Sequence, residues 1–335
     1  MKAILIVLLA GFHLVWVQAQ DFTRSSESIF YNVGGKIDTA DIDGDGDIDL
    51  FLSGHRRLVG PELMLYKNDG FGTFTETSFR FSIFVGSADF GDIDGDGDPD
   101  VLLSGATNGE NFITNLYLNN GEGVFSKVIN NLFDGLRSSN AYFMDVDRDN
   151  DLDIIVAGQS YFADVDSWEN TISVFSNDGV GEFERMENTP FDDFNDGYPT
   201  FIDLNGDENL DLLLVGSENE LYLNDGNGGF ILSSVKLPNT SARISAISDF
   251  DLDGDLDLIL VDSPNFTTYL CWNDGKGNFQ ESRQTPFRNG VYGSSCVGDV
   301  NGDFFPDVLL TGLTTDPDAR TESYLYLNDG KGDFS

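Results

Sequence analysis

Apolar positions in this chain fall in short runs separated by acidic turns. Six such runs each start on an aspartate: DLFLSG from Asp49, DVLLSG from Asp100, DIIVAG from Asp153, DLLLVG from Asp211, DLILVD from Asp257 and DVLLTG from Asp307. A second run follows each and ends in a turn: MLYKNDG, NLYLNNG, SVFSNDG, ELYLNDG, YLCWNDG and YLYLNDG. Runs this short, rich in β-branched and aromatic residues and bounded by turn residues, predict strands. Asn, Asp and Gly tolerate the positive φ of tight hairpins, so each NDG predicts one. After each turn comes G-x-F, at Phe74, Phe125, Phe183, Phe230, Phe279 and Phe334. A further strand, such as Tyr142-Phe143-Met144, is expected before each acidic turn. No stretch after residue 19 shows helical periodicity over a useful length.

The acidic turns start at Asp41, Asp92, Asp145, Asp203, Asp249 and Asp299, so the unit repeats every 46 to 58 residues. Four strands in about 50 residues is the size of a propeller blade. The expected fold is all-β: a β-propeller of four-stranded antiparallel blades over residues 20–335, with six repeats visible. In such a blade the first–second and third–fourth connections emerge at one end. The acidic turns and NDG hairpins therefore share that end, and the variable connections share the other. Two readings of the ring follow from the chain ends. Phe22 precedes Asp41 by the interval that separates each G-x-F phenylalanine from the next acidic turn. It thus predicts an N-terminal strand that closes the last blade of a six-bladed ring. The alternative is a seven-bladed ring with one blade missing from the sequence.

Charge sharpens the reading of the turns. The chain has 58 acidic and 18 basic residues, a formal net charge of −40. Hydrophobic residues make up 40%, enough for a packed core rather than an acidic disordered chain. Such a charge argues against nucleic acid and anionic membrane surfaces as partners. The first turn, Asp41-Ile42-Asp43-Gly44-Asp45-Gly46-Asp47-Ile48-Asp49, crowds five carboxylates into nine residues. Their repulsion is relieved by a hard cation, and Ca²⁺ takes six to eight oxygen ligands. Gly44 and Gly46 let the backbone curl around it. The motif is not an EF-hand: position 12 is Leu52, Leu103, Val156, Leu214, Leu260 and Leu310, where that motif needs glutamate. A solvated acidic turn explains one copy poorly and six in phase worse. Zinc is disfavoured because no His or Cys lies near a turn, and Mg²⁺ demands stricter octahedral geometry.

Residues 1–19 read as a secretory signal peptide, with Lys2, an apolar run from Ala3 to Val17, and Val17-Gln18-Ala19 for cleavage. The apolar run is short of the ~20 residues a membrane span needs. The expectation is a secreted or cell-surface protein, not an integral membrane protein after cleavage. Cys271 and Cys296 lie in apparent strands and are expected to be two buried thiols.

The repeated D-x-D-x-D-G-x-x-D, with Phe90-Gly91 before it and Gly105-Ala106 after it, resembles the FG-GAP repeat of integrin α-subunit propellers. The LYLNDGxGxF segments are similar to the VCBS-type FG-GAP repeats of exported bacterial proteins. The likeness covers residues 21–335. It departs in lacking the proline expected after Ala106 and an inserted integrin-type ligand domain, so an integrin role is not implied. Members of the family include adhesins, lectin-like propellers and ancillary domains of polysaccharide-degrading enzymes.

Carried onto this sequence, the resemblance implies side-chain ligands at positions 1, 3, 5 and 9 and a carbonyl at position 7. The first site is Asp41, Asp43, Asp45, Asp47 and Asp49. The second is Asp92, Asp94, Asp96, Asp98 and Asp100, and the third Asp145, Asp147, Asp149, Asp151 and Asp153. The fourth is Asp203, Asn205, Asp207, Asn209 and Asp211, and the fifth Asp249, Asp251, Asp253, Asp255 and Asp257. The sixth is Asp299, Asn301, Asp303, Phe305 and Asp307. Up to six structural Ca²⁺ are implied. The fourth and sixth are expected to be weaker, because Glu208 and Phe304 replace the turn glycine and asparagine removes a charge from each.

Only His55 remains after residue 19, and no G-x-S-x-G, Walker or C-x-x-C motif occurs. The expectation is therefore a non-catalytic binding or adhesion module with an extracellular glycan or protein ligand. The alternative is an enzyme, or an accessory domain of one, acting on extracellular polysaccharide. Ligand contacts are expected at the variable end, from Arg56, Arg57, Phe112, Tyr161, Phe162, Trp168, Phe266 and Arg320.

Overall fold

The computed structural model describes residues 37–335 apart from the connecting segments 57–59, 82, 108–110, 130–131, 163–166, 188, 192–197, 217–218, 236, 238–241, 263–266, 283–286, 288–291 and 314–320. It also describes short strands at 5–9, 13–17 and 32–33. Leu5–Leu9 pairs with His13–Val17 in a hairpin apart from the other sheets. All described elements are strands, and none is a helix able to cross a membrane.

Each predicted repeat folds as one antiparallel sheet with its strands in chain order. Sheet 1 holds Ile37–Ala40, Asp49–Arg56, Gly60–Asn68 and Phe74–Phe81, with Asn32–Val33 pairing further along the second strand. Sheet 2 is Ile83–Gly91, Asp100–Thr107, Phe112–Leu118 and Ser126–Lys127. Sheet 3 is Arg137–Met144, Asp153–Phe162, Ser167–Asn177 and Phe183–Arg185. Sheet 4 is Tyr198–Ile202, Asp211–Val215, Glu220–Asn224 and Phe230–Leu232. Sheet 5 is Ala242–Ser248, Asp257–Asp262, Thr267–Asn273 and Phe279–Glu281. Sheet 6 has Tyr292–Gly298, Asp307–Leu313 and Thr321–Tyr326. Its fourth strand is only begun, by the bridge from Asn328 to Phe334.

In sheets 1 to 5 the apolar runs after the last aspartate are buried on both faces because neighbouring sheets stack. Ile42, Phe51, Leu63 and Leu65 of sheet 1 meet Val101, Leu103 and Tyr117 of sheet 2. The same positions recur downstream: Phe250, Ile259 and Leu270 of sheet 5 meet Val308, Leu310, Tyr326 and Phe334 of sheet 6. Consecutive sheets are thus joined by a repeated apolar interface, at roughly 1.5–3 kcal/mol per fully buried large side chain.

One packing element was not read from the sequence. Phe79, Phe133, Phe191 and Phe287, in or after the fourth strands, set their rings edge-on against Tyr117, Phe175, Tyr222 and Tyr326 of the next sheet. Each pins the chain as it crosses to that sheet.

One expectation needs correction. Cys271 is buried, but Cys296 is exposed, on a face of sheet 6 that no other sheet among the described residues covers; both are free thiols. Phe334 pairs with Asn328 as Phe74, Phe183, Phe230 and Phe279 pair with Asn68, Asn177, Asn224 and Asn273. Phe22 itself lies outside the described residues.

Candidate metal centres

Every acidic turn is built the same way around its last aspartate. Asp49, Asp100, Asp153, Asp211, Asp257 and Asp307 are each at most 1% exposed. One carboxylate oxygen accepts the backbone N–H of position 2, as Val146 N to Asp153 Oδ2 at 2.8 Å. The other accepts the N–H of the hairpin asparagine, as Asn177 N to Asp153 Oδ1 at 2.9 Å. The same pair recurs at Asp49, Asp100, Asp211, Asp257 and Asp307. This aspartate joins the turn to the hairpin, which places both at one end of the sheet. Burial pushes the Asp100, Asp153 and Asp211 carboxyls up to about 6 and Asp257 to about 7, against the lowering effect of these N–H donors. Burial raises Asp49 as well.

The first aspartate folds the turn. Asp92 Oδ1 accepts Gly95 N at 2.9 Å, and Oδ2 accepts Gly97 N at 2.9 Å. Asp203 and Asp299 do the same with Gly206 and Glu208, and with Gly302 and Phe304. These bonds require positive φ at position 6, found at Gly46, Gly97, Asn150, Glu208, Gly254 and Phe304. Position 4 requires it too. There Arg148 and Leu252 both sit at φ 61, where the other turns have glycine.

At position 7 the side chain turns away from the turn. A Cβ on the hairpin glycine would lie 2.2 Å from Asp47 Oδ2 at Gly70, and 2.4 to 2.8 Å from the side chains of Asp98, Asp151, Asn209 and Asp255 in the next four repeats. Phe305 lies against Gly330 in the same way. That glycine is required by its φ and by this contact.

Four turns bring three carboxylates together with ligand oxygens within 4.8 Å of one another: Asp41, Asp43 and Asp45; Asp92, Asp94 and Asp96; Asp145, Asp147 and Asp153; Asp249, Asp251 and Asp257. In the first and third, Oδ1 of Asp41, Asp43, Asp145 and Asp147 is buried without a hydrogen-bond partner. Asp94, Asp147 and Asp251 are raised by burial and then by the neighbouring carboxylates. Unpartnered carboxylate oxygens under mutual repulsion fit a hard divalent cation. The fourth and sixth turns make no such trio among the described residues. There Asn205 Nδ2 donates to Asp207 Oδ2 at 3.0 Å, and Asn301 Nδ2 to Asp303 Oδ2 at 2.8 Å. Two basic residues enter the acidic end. Lys67 Nζ lies 2.9 Å from Asp43 Oδ2, and Arg148 reaches across to Glu208 at 2.9 Å.

Sequence reasoning missed a second use of the NDG asparagine. Its Nδ2 crosses to the preceding sheet and donates to the position-2 carbonyl there. Asn119 reaches Ile42 O, Asn177 reaches Ile93 O, Asn224 reaches Val146 O, Asn273 reaches Leu204 O and Asn328 reaches Phe250 O, at 2.7 to 3.0 Å. The recurrence of an asparagine at the start of every hairpin turn was the available signal.

At the opposite end, Phe112 and Trp168 meet edge-to-face at 5.6 Å, and the Arg137 guanidinium lies 5.3 Å from the Trp168 ring. Phe112 belongs to sheet 2, and Trp168 and Arg137 to sheet 3. Trp168 is 41% exposed. Tyr161 and Phe162 extend the second strand of sheet 3 and pair with Trp168 and Ser167. Arg56 ends the second strand of sheet 1, paired with Gly60. Arg57, Phe266 and Arg320 lie outside the described residues. Arg137 was not singled out from sequence.

A family model for the FG-GAP-like repeat matches residues 41–103 and 249–310. Those two segments are similar to the FG-GAP-like repeat. The matched segments run from the first acidic turn into sheet 2, and from the fifth turn into sheet 6. Between the matched segments the structure repeats the same antiparallel strand order. Among solved structures, the V. cholerae biofilm matrix protein Bap1 is similar at 12% identity and a TM-score of 0.31, over 91% of this chain and 71% of that one. No curated protein sequence matches the chain.

Proposed function

We propose that this chain is an extracellular, calcium-stabilised binding module whose sheets are the blades of a β-propeller. The observation that carries it is the division of the two sheet ends. One end gathers the acidic turns, with converging carboxylates whose buried oxygens lack partners. The other presents the Phe112–Trp168–Arg137 corner, with Trp168 on Ser167–Asn177, the longest strand among the described residues. Asp41, Asp43 and Asp45 in the first turn, Asp92, Asp94 and Asp96 in the second, Asp145, Asp147 and Asp153 in the third, and Asp249, Asp251 and Asp257 in the fifth would hold the ions. A bound ion would neutralise the carboxylates and fix the turn. The chemistry asked of it is structural, and no reaction step is assigned to it.

An aromatic face beside a guanidinium suits a sugar ring or a protein side chain. The module is non-catalytic on this reading. The competing reading is an enzyme, or an enzyme's accessory domain, acting on extracellular polysaccharide. A glycan array with calcium and with chelator, followed by incubation of every bound glycan, separates them. Binding without change of the glycan, lost in Trp168→Ala, is expected. Cleavage of a bound chain would contradict the non-catalytic reading.

A further inference from the structure

The third and fourth acidic turns share a backbone path but differ in what their oxygens do. In the third, Oδ1 of Asp145 and of Asp147 is buried with no hydrogen-bond partner. In the fourth, each side-chain oxygen at positions 1, 3, 5 and 9 already has one. Asp203 accepts Gly206 N and Asp207 N on Oδ1 and Glu208 N on Oδ2. Asn205 Oδ1 accepts Asp207 N at 2.9 Å, which leaves Nδ2 facing Asp207 Oδ2 at 3.0 Å. Asp207 Oδ1 accepts Asn209 N, and Asp211 accepts Leu204 N and Asn224 N. An amide donor therefore stands where the third turn has a second carboxylate oxygen. An N–H group cannot ligate a hard cation, which takes oxygen ligands. The fourth turn does not fit the ion that the third turn fits.

Positive charge reaches the fourth turn from another repeat. Position 4 of an acidic turn faces the next sheet. A Cβ on Gly95 would lie 3.7 Å from Gly179 O in sheet 3, and one on Gly206 would lie 4.0 Å from Gly275 O in sheet 5. In the third turn this position is Arg148, at φ 61, where Gly44, Gly95, Gly206 and Gly302 stand in other turns. Its guanidinium spans to the fourth turn. Nη1 lies 3.3 Å from both Asp207 O and Asn209 Oδ1, and Nη2 lies 2.9 Å from Glu208 Oε2. Glu208 is mostly exposed, so that ion pair is weak by itself. The planar fork, however, gathers positions 5, 6 and 7 of one turn at once. Leu252, the other side chain at position 4, has no charge to offer.

Resting on the metal reading above, we infer that the fourth turn takes no divalent ion and that Arg148 of the third turn is its resident cation. The fourth turn is then held through the third. Arg148 directly follows Asp147, so an ion gathered by that carboxylate fixes the backbone from which the guanidinium reaches across. Occupancy of the third turn and order in the fourth are two ends of one coupling, and such coupling is reciprocal. The unfavourable φ of Arg148 has a use on this account. Glycine would fit the third turn with less strain but could not cross to the fourth.

Two measurements on the full chain test this, with calcium as the only added ligand. The first counts bound ions by titration calorimetry. Asp147→Asn should lose one ion, and Asp207→Asn none. Asn205→Ala, a second probe of the fourth turn, should also lose none. Loss of an ion in either fourth-turn variant overturns the inference and leaves the metal reading intact. A chain that binds no calcium, or an Asp147→Asn variant that keeps every ion, overturns the metal reading and the inference with it. The second measurement follows amide hydrogen exchange over residues 203–211 in calcium. Asp147→Asn should speed exchange there about fivefold or more, the low end of typical coupling between sites. In an Arg148→Gly background, which keeps the turn conformation, exchange should already be faster, and adding Asp147→Asn should change it no further. The same acceleration in both backgrounds would overturn the inference, as would a fourth turn that does not respond to Asp147→Asn at all.

Discussion

At the scale of single residues, the hairpin asparagines do more than turn the chain. Asn177 accepts a place in its own turn through its backbone N–H on Asp153, and its Nδ2 ties sheet 3 to Ile93 O in sheet 2. Removing the amide leaves that carbonyl buried and unpaired. Asn177→Ala should therefore cost about 1–3 kcal/mol, read from urea denaturation in calcium, and more than an exposed substitution such as Lys276→Ala. Strain points the other way. Phe304 is exposed at φ 75, in a region where a side chain costs roughly 1–2 kcal/mol. Phe304→Gly should raise stability by about 1 kcal/mol or somewhat less, since glycine also gains freedom in the unfolded chain. A lower denaturation midpoint in that variant would show that the ring has a packing role the structure does not display.

At the scale of the element, the acidic turn is a device with two settings. Without a cation, burial holds Asp100, Asp153 and Asp211 at about 6 and Asp257 at about 7. Unfolded aspartate titrates near 3.9. The folded state then binds more protons than the unfolded state between about pH 4 and 7, so stability in chelator should rise as pH falls through that window. With a cation bound the sign reverses, because coordination needs the deprotonated carboxylates and acid releases the ion. Melting curves from pH 7 to pH 5 should therefore move up in chelator and down in calcium. Parallel movement in both would show that the ion does not engage these turns.

The six sheets and the pairing of acidic turn with hairpin were legible from sequence, because both are set by local residue types at fixed spacing: Asp, Gly and Asn for the turns, short apolar runs for the strands. What was not legible depends on contacts between repeats. The crossing bonds of the asparagines, the pinning rings such as Phe133 on Phe175, and the contact of Arg137 with Trp168 join residues of different strands or sheets. The strain at Arg148 and Leu252 was hidden for another reason: the turns that retain glycine at position 4 disguise that the backbone, not the residue, demands positive φ there.

At the scale of the whole molecule, the two sheet ends divide the labour. The acidic end fixes geometry, and the variable end is free to differ between repeats. Gly135 shows how tightly one variable connection is seated. A Cβ there would lie 2.0 Å from Phe112 O, and Thr114 Oγ1 donates to Asp134 O at 2.8 Å beside it. Gly135→Ala should displace this connection from sheet 2 at a cost of about 1–3 kcal/mol. It should also reduce ligand binding through the Phe112–Trp168 corner more than Gly298→Ala, whose Cβ would meet nothing within 4 Å.

The central claim is that divalent ions at the acidic turns hold the sheets in place, and thermal unfolding of the full chain in saturating calcium and in chelator tests it most directly. The account predicts a large, saturable fall in melting temperature on chelation, restored by calcium and blunted by Asp43→Asn combined with Asp147→Asn. A melting curve indifferent to calcium and chelator would contradict it.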